Sequence, residues 1–248
     1  MVYYSLYKGS HAAGIGSLLQ IQQHLYAYTR MNNLDSYFPG FIDLAHWEYT
    51  NYSQQEYCDT LNEFFNLPTV SDNKNLEFID DNKLIRQWGE QFNNQKQKYI
   101  KELASLIVYK GDLYFNPNKI SVALHIRTVN PKDNCFAPQR EYYNKDKVTY
   151  YIHLLDKIRS IHGNDLDIHV FSQGSEKDFQ FLIDSHNVTL HINDNILATI
   201  YHLTFSNILI AANSSLSWTA HLYGQNNFVY ARPTFSHSWY PGTCHITI

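Results

Sequence analysis

The most concentrated set of groups that could bind a ligand lies at residues 213–218, with the sequence Asn-Ser-Ser-Leu-Ser-Trp. An apolar run at 208–212 precedes it, and a helix-forming stretch that ends before Gly224 follows it. Hydroxyls and free backbone N–H groups at the start of a helix bind anions such as phosphate, although the same residue types also act as ordinary helix N-caps. The candidate ligand contacts of this serine turn are Asn213, Ser214, Ser215 and Ser217.

A second candidate is an arginine at the end of an apolar stretch. The pattern at 120–127 predicts a buried strand that ends at Arg127, and a planar guanidinium can hold two oxygens of a diphosphate. Because side chains alternate along a strand, His125 shares the face of Arg127, while Leu124 and Ile126 take the other face. Two alternatives stay open, namely a salt bridge at a domain edge for Arg127 and a place in the core for His125.

Two glycines, Gly14 and Gly16, lie between a predicted strand at 2–7 and a predicted helix at 17–31. They match the first two glycines of a dinucleotide-binding fingerprint, but Leu19 occupies the position of the third. A glycine turn lets another molecule approach the backbone closely. The pair is therefore a candidate ligand contact, with little support for a nicotinamide cofactor.

The sequence offers no comparable set of metal ligands. Asp165 and Asp167 have the spacing of a metal-binding pair, but they lie at the start of a predicted strand, which is the wrong edge of a sheet for a ligand. The three cysteines are far apart, and the 13 histidines contain no helical pair of the kind that binds zinc. We therefore expect neither a metal ion nor a cofactor.

The elements that must position these groups alternate between strand and helix. Apolar runs predict strands at 120–127, 167–173, 188–192, 208–212 and 228–231, and the stretches between them predict helices at 146–161, 176–184, 195–205 and 215–222. This alternation predicts a parallel sheet with helices on both faces. Earlier in the chain the patterns indicate a short strand at 41–45, a helix at 53–65, and one long polar-rich helix or two shorter ones from about 81 to 108.

Ligands bind beyond the carboxyl ends of the strands in such sheets. Arg127, Gln173, Asn193 and Asn213 each follow a predicted strand at that end, and the glycine pair follows the first strand of the chain. We therefore expect these positions, with the neighbouring Ser172 and Asp194, to converge on one crevice.

Composition narrows the classes of partner. The 248-residue chain carries a net charge of −4 and no basic stripe, which argues against nucleic-acid binding. Its beginning has no charged-then-apolar signal peptide, and no apolar run reaches the length of a membrane span. We expect a soluble, cytoplasmic protein.

The order of these groups along the chain resembles the donor-binding half of the GDP-fucose-dependent fucosyltransferase superfamily, the α-1,2-, α-1,6- and protein O-fucosyltransferases. The similarity covers roughly residues 9–35 and 120–225. Its most specific parts are the strand end His125-Ile126-Arg127 and the serine turn. The glycine-containing stretch 14–20 looks like the acceptor-side loop of the same enzymes.

The resemblance implies an α/β fold of the GT-B type, with two Rossmann-like domains and mostly parallel sheets. A reduced N-terminal domain at 1–110 would bind the acceptor, and a C-terminal domain at 111–248 would bind the nucleotide sugar. The implied reaction is an inverting, metal-independent transfer of a sugar, fucose by this resemblance, from a nucleotide-sugar donor to a glycan acceptor.

Where many family members have a second arginine, this chain has Thr128, and Asp133 comes later than the family's aspartate. A UDP-sugar such as UDP-xylose is therefore an alternative donor, and a non-catalytic nucleotide- or carbohydrate-binding protein is an alternative function. A carboxylate or histidine would deprotonate the acceptor hydroxyl, and the candidates beside Arg127 for a catalytic role are Asp133, Glu141 and His11. The predicted donor-binding residues are Gly14, Gly16, His125, Arg127, Ser172, Gln173, Asn193, Asp194, Asn213, Ser214, Ser215 and Ser217.

Overall fold

The computed structural model describes residues 3–6, 14–36, 38, 40–42, 44, 52–67, 76–79, 94–128, 147–212, 214–224, 226–231 and 244–245. The predicted site residues His11, Asp133, Glu141 and Asn213 lie outside these ranges. The chain divides into two compact units. Unit 1 comprises Met1–Gly111, Ser215–Gln225 and Ser236–Pro241, and unit 2 comprises Asp112–Ser214, Asn226–Phe235 and Gly242–Ile248. The two predicted domains are contiguous in sequence, whereas each unit is assembled from several segments.

Unit 1 contains a small parallel sheet in the order β2-β1-β3. Its strands are β1 (Tyr3–Leu6), β2 (Asp35–Ser36) and β3 (Leu76–Ile79). Only β1 was predicted; β2 has two residues, too few to carry a hydrophobic period, and β3 was missed.

The described part of the predicted strand at 41–45 is not a strand. The backbone of Phe41 bonds instead to the side-chain amide of Asn62: Phe41 N donates to Oδ1 over 2.7 Å, and Nδ2 donates to Phe41 O over 3.1 Å. This side chain takes the place of the strand neighbour that the apolar pattern predicted.

The helices described in unit 1 are α1 (Ile15–Met31), α2 (Gln54–Phe65), α3 (Asn94–Ala104) and, from its later segment, α7 (Ser215–Tyr223). Helix α2 begins with a capping box, in which Ser53 Oγ accepts from Glu56 N and the Glu56 carboxylate accepts from Ser53 N. Helix α1 packs against both α3 and α7.

Unit 2 is built on a parallel sheet in the order β6-β5-β4-β7-β8-β9. Its strands are β4 (Ile120–Ile126), β5 (Leu166–Ser172), β6 (Thr189–Ile192), β7 (Ile208–Ala211), β8 (Phe228–Ala231) and β9 (Cys244–His245). Between them lie α4 (Lys147–His162), a 3₁₀ helix (Glu176–Phe179), α5 (Gln180–His186) and α6 (Ile196–Phe205). The predicted α/β class with parallel sheets is confirmed, and the strand order is that of a doubly wound, Rossmann-like sheet.

The two faces of this sheet differ in chemistry. Alternate strand residues, among them Val122, Leu124, Val170 and Ile210, form a closed apolar core with α4 and α5. We call this the aliphatic face. The residues between them point the other way and meet α6 and residues 112–116. We call this second face the histidine face; its polar and aromatic members include His125, Asp167, His169, Phe171 and His191, and His202 of α6 lies against it.

Candidate functional site

The strand order of unit 2 reverses between β4 and β7. In a doubly wound sheet the crevice at this reversal, beyond the carboxyl ends of the strands, is the usual ligand site. Ile126 at the end of β4 is in register with Ser172 at the end of β5, and Ser172 is in register with Ile192 at the end of β6. The residues that follow these three strands therefore lie along one edge, which we call the carboxyl edge.

Arg127 is the first residue after β4 and is tied to the neighbouring strand end. Its Nη1 donates to Gln173 Oε1 over 3.1 Å, and Thr128 Oγ1 donates to the Gln173 carbonyl over 2.9 Å. One strand residue further back, Ser172 Oγ donates to the Ile126 carbonyl over 2.8 Å. These bonds hold the guanidinium at the carboxyl edge. The neighbouring Gln173 amide can also donate hydrogen bonds to a ligand or accept them from it.

The loop after β6 is tied to the loop after β5. Asn193 has a left-handed backbone conformation with φ of 57°, and Gly174 has φ of 120°. Asn193 Oδ1 accepts from Gly174 N over 3.0 Å, and its Nδ2 donates to Gly174 O over 2.8 Å. We call this pair of bonds the Asn193 clamp. Both ends of the amide bond to backbone, so the clamp positions the residues beside Gln173.

Asp194 has partners on the protein itself. Its Oδ1 accepts from Asn195 N over 2.7 Å, and its Oδ2 accepts from the Tyr114 hydroxyl over 2.8 Å. Asn195 in turn caps α6, because its Oδ1 accepts from Leu197 N over 2.8 Å. The carboxylate therefore orders the start of α6 in this structure, and contact with a nucleotide stays a prediction.

His125 lies in the interior of unit 2, with 7% of its surface exposed. Burial, and after it the positive charge of Arg127, lower the pKa of His125 to about 3. The imidazole is therefore neutral at ordinary pH and cannot neutralise a diphosphate. Of the residues that the structure describes at the end of β4, Arg127 is the one that carries positive charge.

The serine turn is divided between the units. Ser214, at the end of a segment of unit 2, is buried, and its N–H donates to the Ala212 carbonyl over 2.9 Å. Since α7 begins at Ser215, Ser214 occupies the N-cap position. In unit 1, Ser215 Oγ lies 3.5 Å from Ser17 Oγ, whereas Ser217 is 0% exposed. A ligand could reach the Ser217 hydroxyl only after α7 rearranges.

The glycine pair has a structural explanation within unit 1. Gly14 precedes α1 at its N-cap position, and its carbonyl accepts from Ser17 N over 3.0 Å. A Cβ on Gly16 would lie 2.5 Å from the backbone nitrogen of Leu216 and 2.8 Å from Ser215 Oγ. The Gly16 carbonyl also accepts from Thr219 Oγ1 over 2.9 Å. The group that packs closely against Gly16 is therefore the start of α7, and contact of this glycine with a ligand stays a prediction.

The structure thus brings five of the predicted residues to the ends of three adjacent strands: Arg127, Ser172, Gln173, Asn193 and Asp194. Gly14, Gly16, Ser215 and Ser217 belong to unit 1. Sequence reasoning missed the bond from Thr128 to the Gln173 carbonyl, and it missed Gly174, although a glycine directly after a predicted strand is a known turn signal. It also missed the contacts of Tyr114, for which no local pattern exists.

No protein-family model matches the sequence, and no curated protein is significantly similar to it. Within the described ranges, no three histidine, cysteine, aspartate or glutamate side chains are grouped closely enough to hold a metal ion. Every helix in those ranges falls short of the length and hydropathy that a bilayer-spanning segment requires.

Proposed function

We propose that this chain is a GT-B glycosyltransferase that binds a nucleotide-sugar donor at the carboxyl edge of unit 2. The proposal is carried by one observation: Arg127 follows β4 directly, at the point where the strand order of a Rossmann-like sheet reverses. A bidentate cation at this position suits a diphosphate better than a neutral small molecule.

The chemistry would be displacement at the anomeric carbon of the donor, with inversion. The leaving diphosphate gains negative charge as the glycosidic bond breaks, and a preorganised cation lowers the energy of that transition state. Arg127 would supply this charge without a metal ion. The base that takes the proton of the acceptor hydroxyl would be Asp133, Glu141 or His11, and the N-terminal domain would bind the glycan acceptor.

The resemblance to fucosyltransferases favours a GDP-fucose donor. Thr128, which bonds to the Gln173 carbonyl, occupies the position of the family's second arginine, and this difference favours a UDP-sugar as the second candidate donor. The same difference removes one cation from the site and supports the other alternative, a binding protein without turnover.

A thermal-shift panel of GDP-, UDP- and dTDP-sugars tests the proposal first, because a ligand that binds only the folded state raises the melting temperature. The nucleotide that gives a shift is then titrated against wild type, Arg127→Ala and Arg127→Lys. Lys177→Ala is the matched control, since Lys177 is an exposed cation in the 3₁₀ helix (Glu176–Phe179) that follows the neighbouring strand β5.

Removal of the Arg127 fork should cost about 1.5–3 kcal/mol of binding, roughly a 10- to 150-fold rise in Kd. Arg127→Lys should lie between the alanine variant and wild type, because lysine keeps the charge and loses the planar fork. Lys177→Ala should leave the Kd unchanged. Normal donor affinity in Arg127→Ala would overturn the assignment.

Release of free nucleotide and transfer of the sugar to a glycan, both followed by mass spectrometry, separate an enzyme from a binding protein. Turnover should persist in EDTA. Complete loss that Mn²⁺ or Mg²⁺ restores would show that the reaction depends on a metal.

A further inference from the structure

The first residues of unit 2 lie along its histidine face. Tyr114 inserts its ring between the imidazoles of His191 and His202, with 4.2 Å between ring centroids and 4° between ring planes on both sides. Phe115 meets His169 edge-on at 4.7 Å. We call residues 112–116 the latch segment, because the chain enters unit 2 through it.

Hydrogen bonds hold the latch segment at three points. The Tyr114 hydroxyl donates to Asp194 Oδ2 over 2.8 Å, and Tyr114 N donates to His202 Nε2 over 3.0 Å. Asn116 N donates to Asp167 Oδ2 over 2.7 Å. Every acceptor is a titratable side chain, so the attachment depends on protonation states.

The partners of His202 determine which of its ring nitrogens carries the proton. His202 Nδ1 lies 2.7 Å from the Ala198 carbonyl, which can only accept, so Nδ1 carries a hydrogen. Nε2 must then present a lone pair to the Tyr114 N–H. A second proton at Nε2 would turn this acceptor into a donor and set two N–H groups against each other.

The surrounding groups decide how readily that proton arrives. Titratable side chains from several elements surround His202. They include Tyr114 of the latch segment, His169 of β5, His191 of β6 and Asp194 of the loop after β6. His169 Nδ1 lies 2.8 Å from His191 Nε2, and His169 Nε2 lies 3.2 Å from Asp167 Oδ2. The titratable groups near His202 in the described ranges include Tyr114, Asp167, His169, His191, Asp194 and Tyr201, whose ring meets that of His202 edge-on at 5.4 Å.

Burial is the main cause that lowers the pKa of His202, and the charge of His169 acts in the same direction, while the Ala198 carbonyl and Asp194 oppose it. Burial likewise lowers the pKa of His169, and burial with the nearby His169 lowers that of His191 to about 4. A cation–π attraction between a charged imidazole and the Tyr114 ring would oppose release. Two effects of protonation favour release: a positive charge is buried, and the hydrogen bond from Tyr114 N to His202 is lost.

We propose that residues 112–116 form an acid-labile latch, held closed while neutral His202 accepts the Tyr114 N–H and released when His202 is protonated at Nε2. A histidine that the folded state keeps neutral stabilises the fold above its ordinary pKa, and this contribution is lost as the pH falls. The latch is therefore closed at neutral pH and opens in acid. Asp194 and the Asn193 clamp are adjacent in one loop, so release of Tyr114 also removes a hydrogen bond from that loop.

Hydrogen exchange followed by mass spectrometry tests the latch on the whole chain, with rates normalised to the intrinsic exchange at each pH. In wild type, protection of the peptide containing Tyr114 should fall about tenfold or more between about pH 7.5 and about pH 5, while β4 remains more protected than the latch segment at both pH values. His202→Gln cannot gain a proton, so its latch protection should fall clearly less between the two pH values than that of wild type. His153→Gln removes an exposed histidine of α4 and should behave as wild type.

Equal protection of the latch segment at both pH values in wild type would overturn the proposal. So would a His202→Gln variant that keeps the wild-type pH dependence, because another group would then be the switch. A fall of β4 protection to the level of the latch segment at about pH 5 would also overturn it, since acid would then unfold unit 2 as a whole. The level of protection in His202→Gln does not matter, because only its dependence on pH is compared.

Discussion

On the aliphatic face of the unit 2 sheet, the buried side chains from β4, β5 and β7 are hydrocarbon, and they pack against α4 and α5. On the histidine face, β4, β5 and β6 contribute His125, His169 and His191, and the last two pack against the latch segment. The backbone is shared, and the period of two along each strand lets each face follow its own chemistry. The strand side chains of one face are held by hydrocarbon packing, and those of the other by bonds that depend on protonation.

The largest effect should come from opening a cavity on the aliphatic face. Leu124 is 0% exposed in the centre of the core, and Leu124→Ala should lower the free energy of unfolding by about 2–5 kcal/mol. Urea denaturation at about pH 7 and about pH 5 should give the same difference from wild type at both values, because no proton is involved. A difference that changes with pH would show that the two faces are not independent.

Acid should act mainly through the histidine face. Burial lowers the pKa values of His125, His169, His191 and His202, so the folded chain binds fewer protons than the unfolded chain below the ordinary histidine pKa of about 6.5. Stability should therefore be complete above that pH and fall towards about 4, the pKa of His191, by up to about 1.4 kcal/mol per pH unit for each histidine.

His191→Phe sharpens this prediction, because phenylalanine can stack on Tyr114 and Phe171 and cannot titrate. The slope of the unfolding free energy against pH should be smaller than in wild type by the amount that corresponds to the uptake of about one proton on unfolding. His153→Gln, on the exposed surface of α4, is the control. An unchanged slope in His191→Phe would show that groups other than His191 cause the loss of stability in acid.

The two faces meet at the carboxyl edge, where the Asn193 clamp should contribute about 1–3 kcal/mol through its two bonds to Gly174. Asn193→Gly removes the side chain and keeps the left-handed backbone accessible, so the measured loss is that of the clamp. Asn187→Gly is the matched control, since Asn187 has φ of 50° at the end of α5. It should change stability by less than about 0.5 kcal/mol. Equal changes in stability for the two variants would show that the two bonds of the Asn193 clamp do not stabilise the fold.

The smallest effect should come from the serine turn. Ser214→Ala should cost about 1 kcal/mol as the loss of an N-cap, and Ser215→Ala should cost less, because its contact with Ser17 is 3.5 Å long. If the turn also binds the donor phosphate, one of the Ser214, Ser215 or Ser217 alanine variants should raise the nucleotide Kd while the melting temperature barely moves. Three variants that change stability alone would reduce the turn to a structural role.

Much of the fold of unit 2 was determined by local sequence. The predicted strand at 228–231 coincides with β8, and those at 120–127 and 208–212 extend one residue beyond β4 and β7. The division of β4 into an apolar face with Leu124 and Ile126 and a second face with His125 was also predictable. The hydrophobic period and the turn residues of an element are read from a short stretch of sequence, so they can be predicted without knowledge of the rest of the chain.

The tertiary structure alone decided which segments are neighbours. Strand order, the membership of α7 in unit 1, and the bond between Tyr114 and His202, 88 residues apart, are properties of packing between distant segments. Gly16 looked like a ligand turn, yet its lack of a side chain is required by the start of α7. Asn193 looked like a ligand contact, yet its amide holds Gly174. A residue type states which bonds a side chain can make, and only the fold brings the partner within reach.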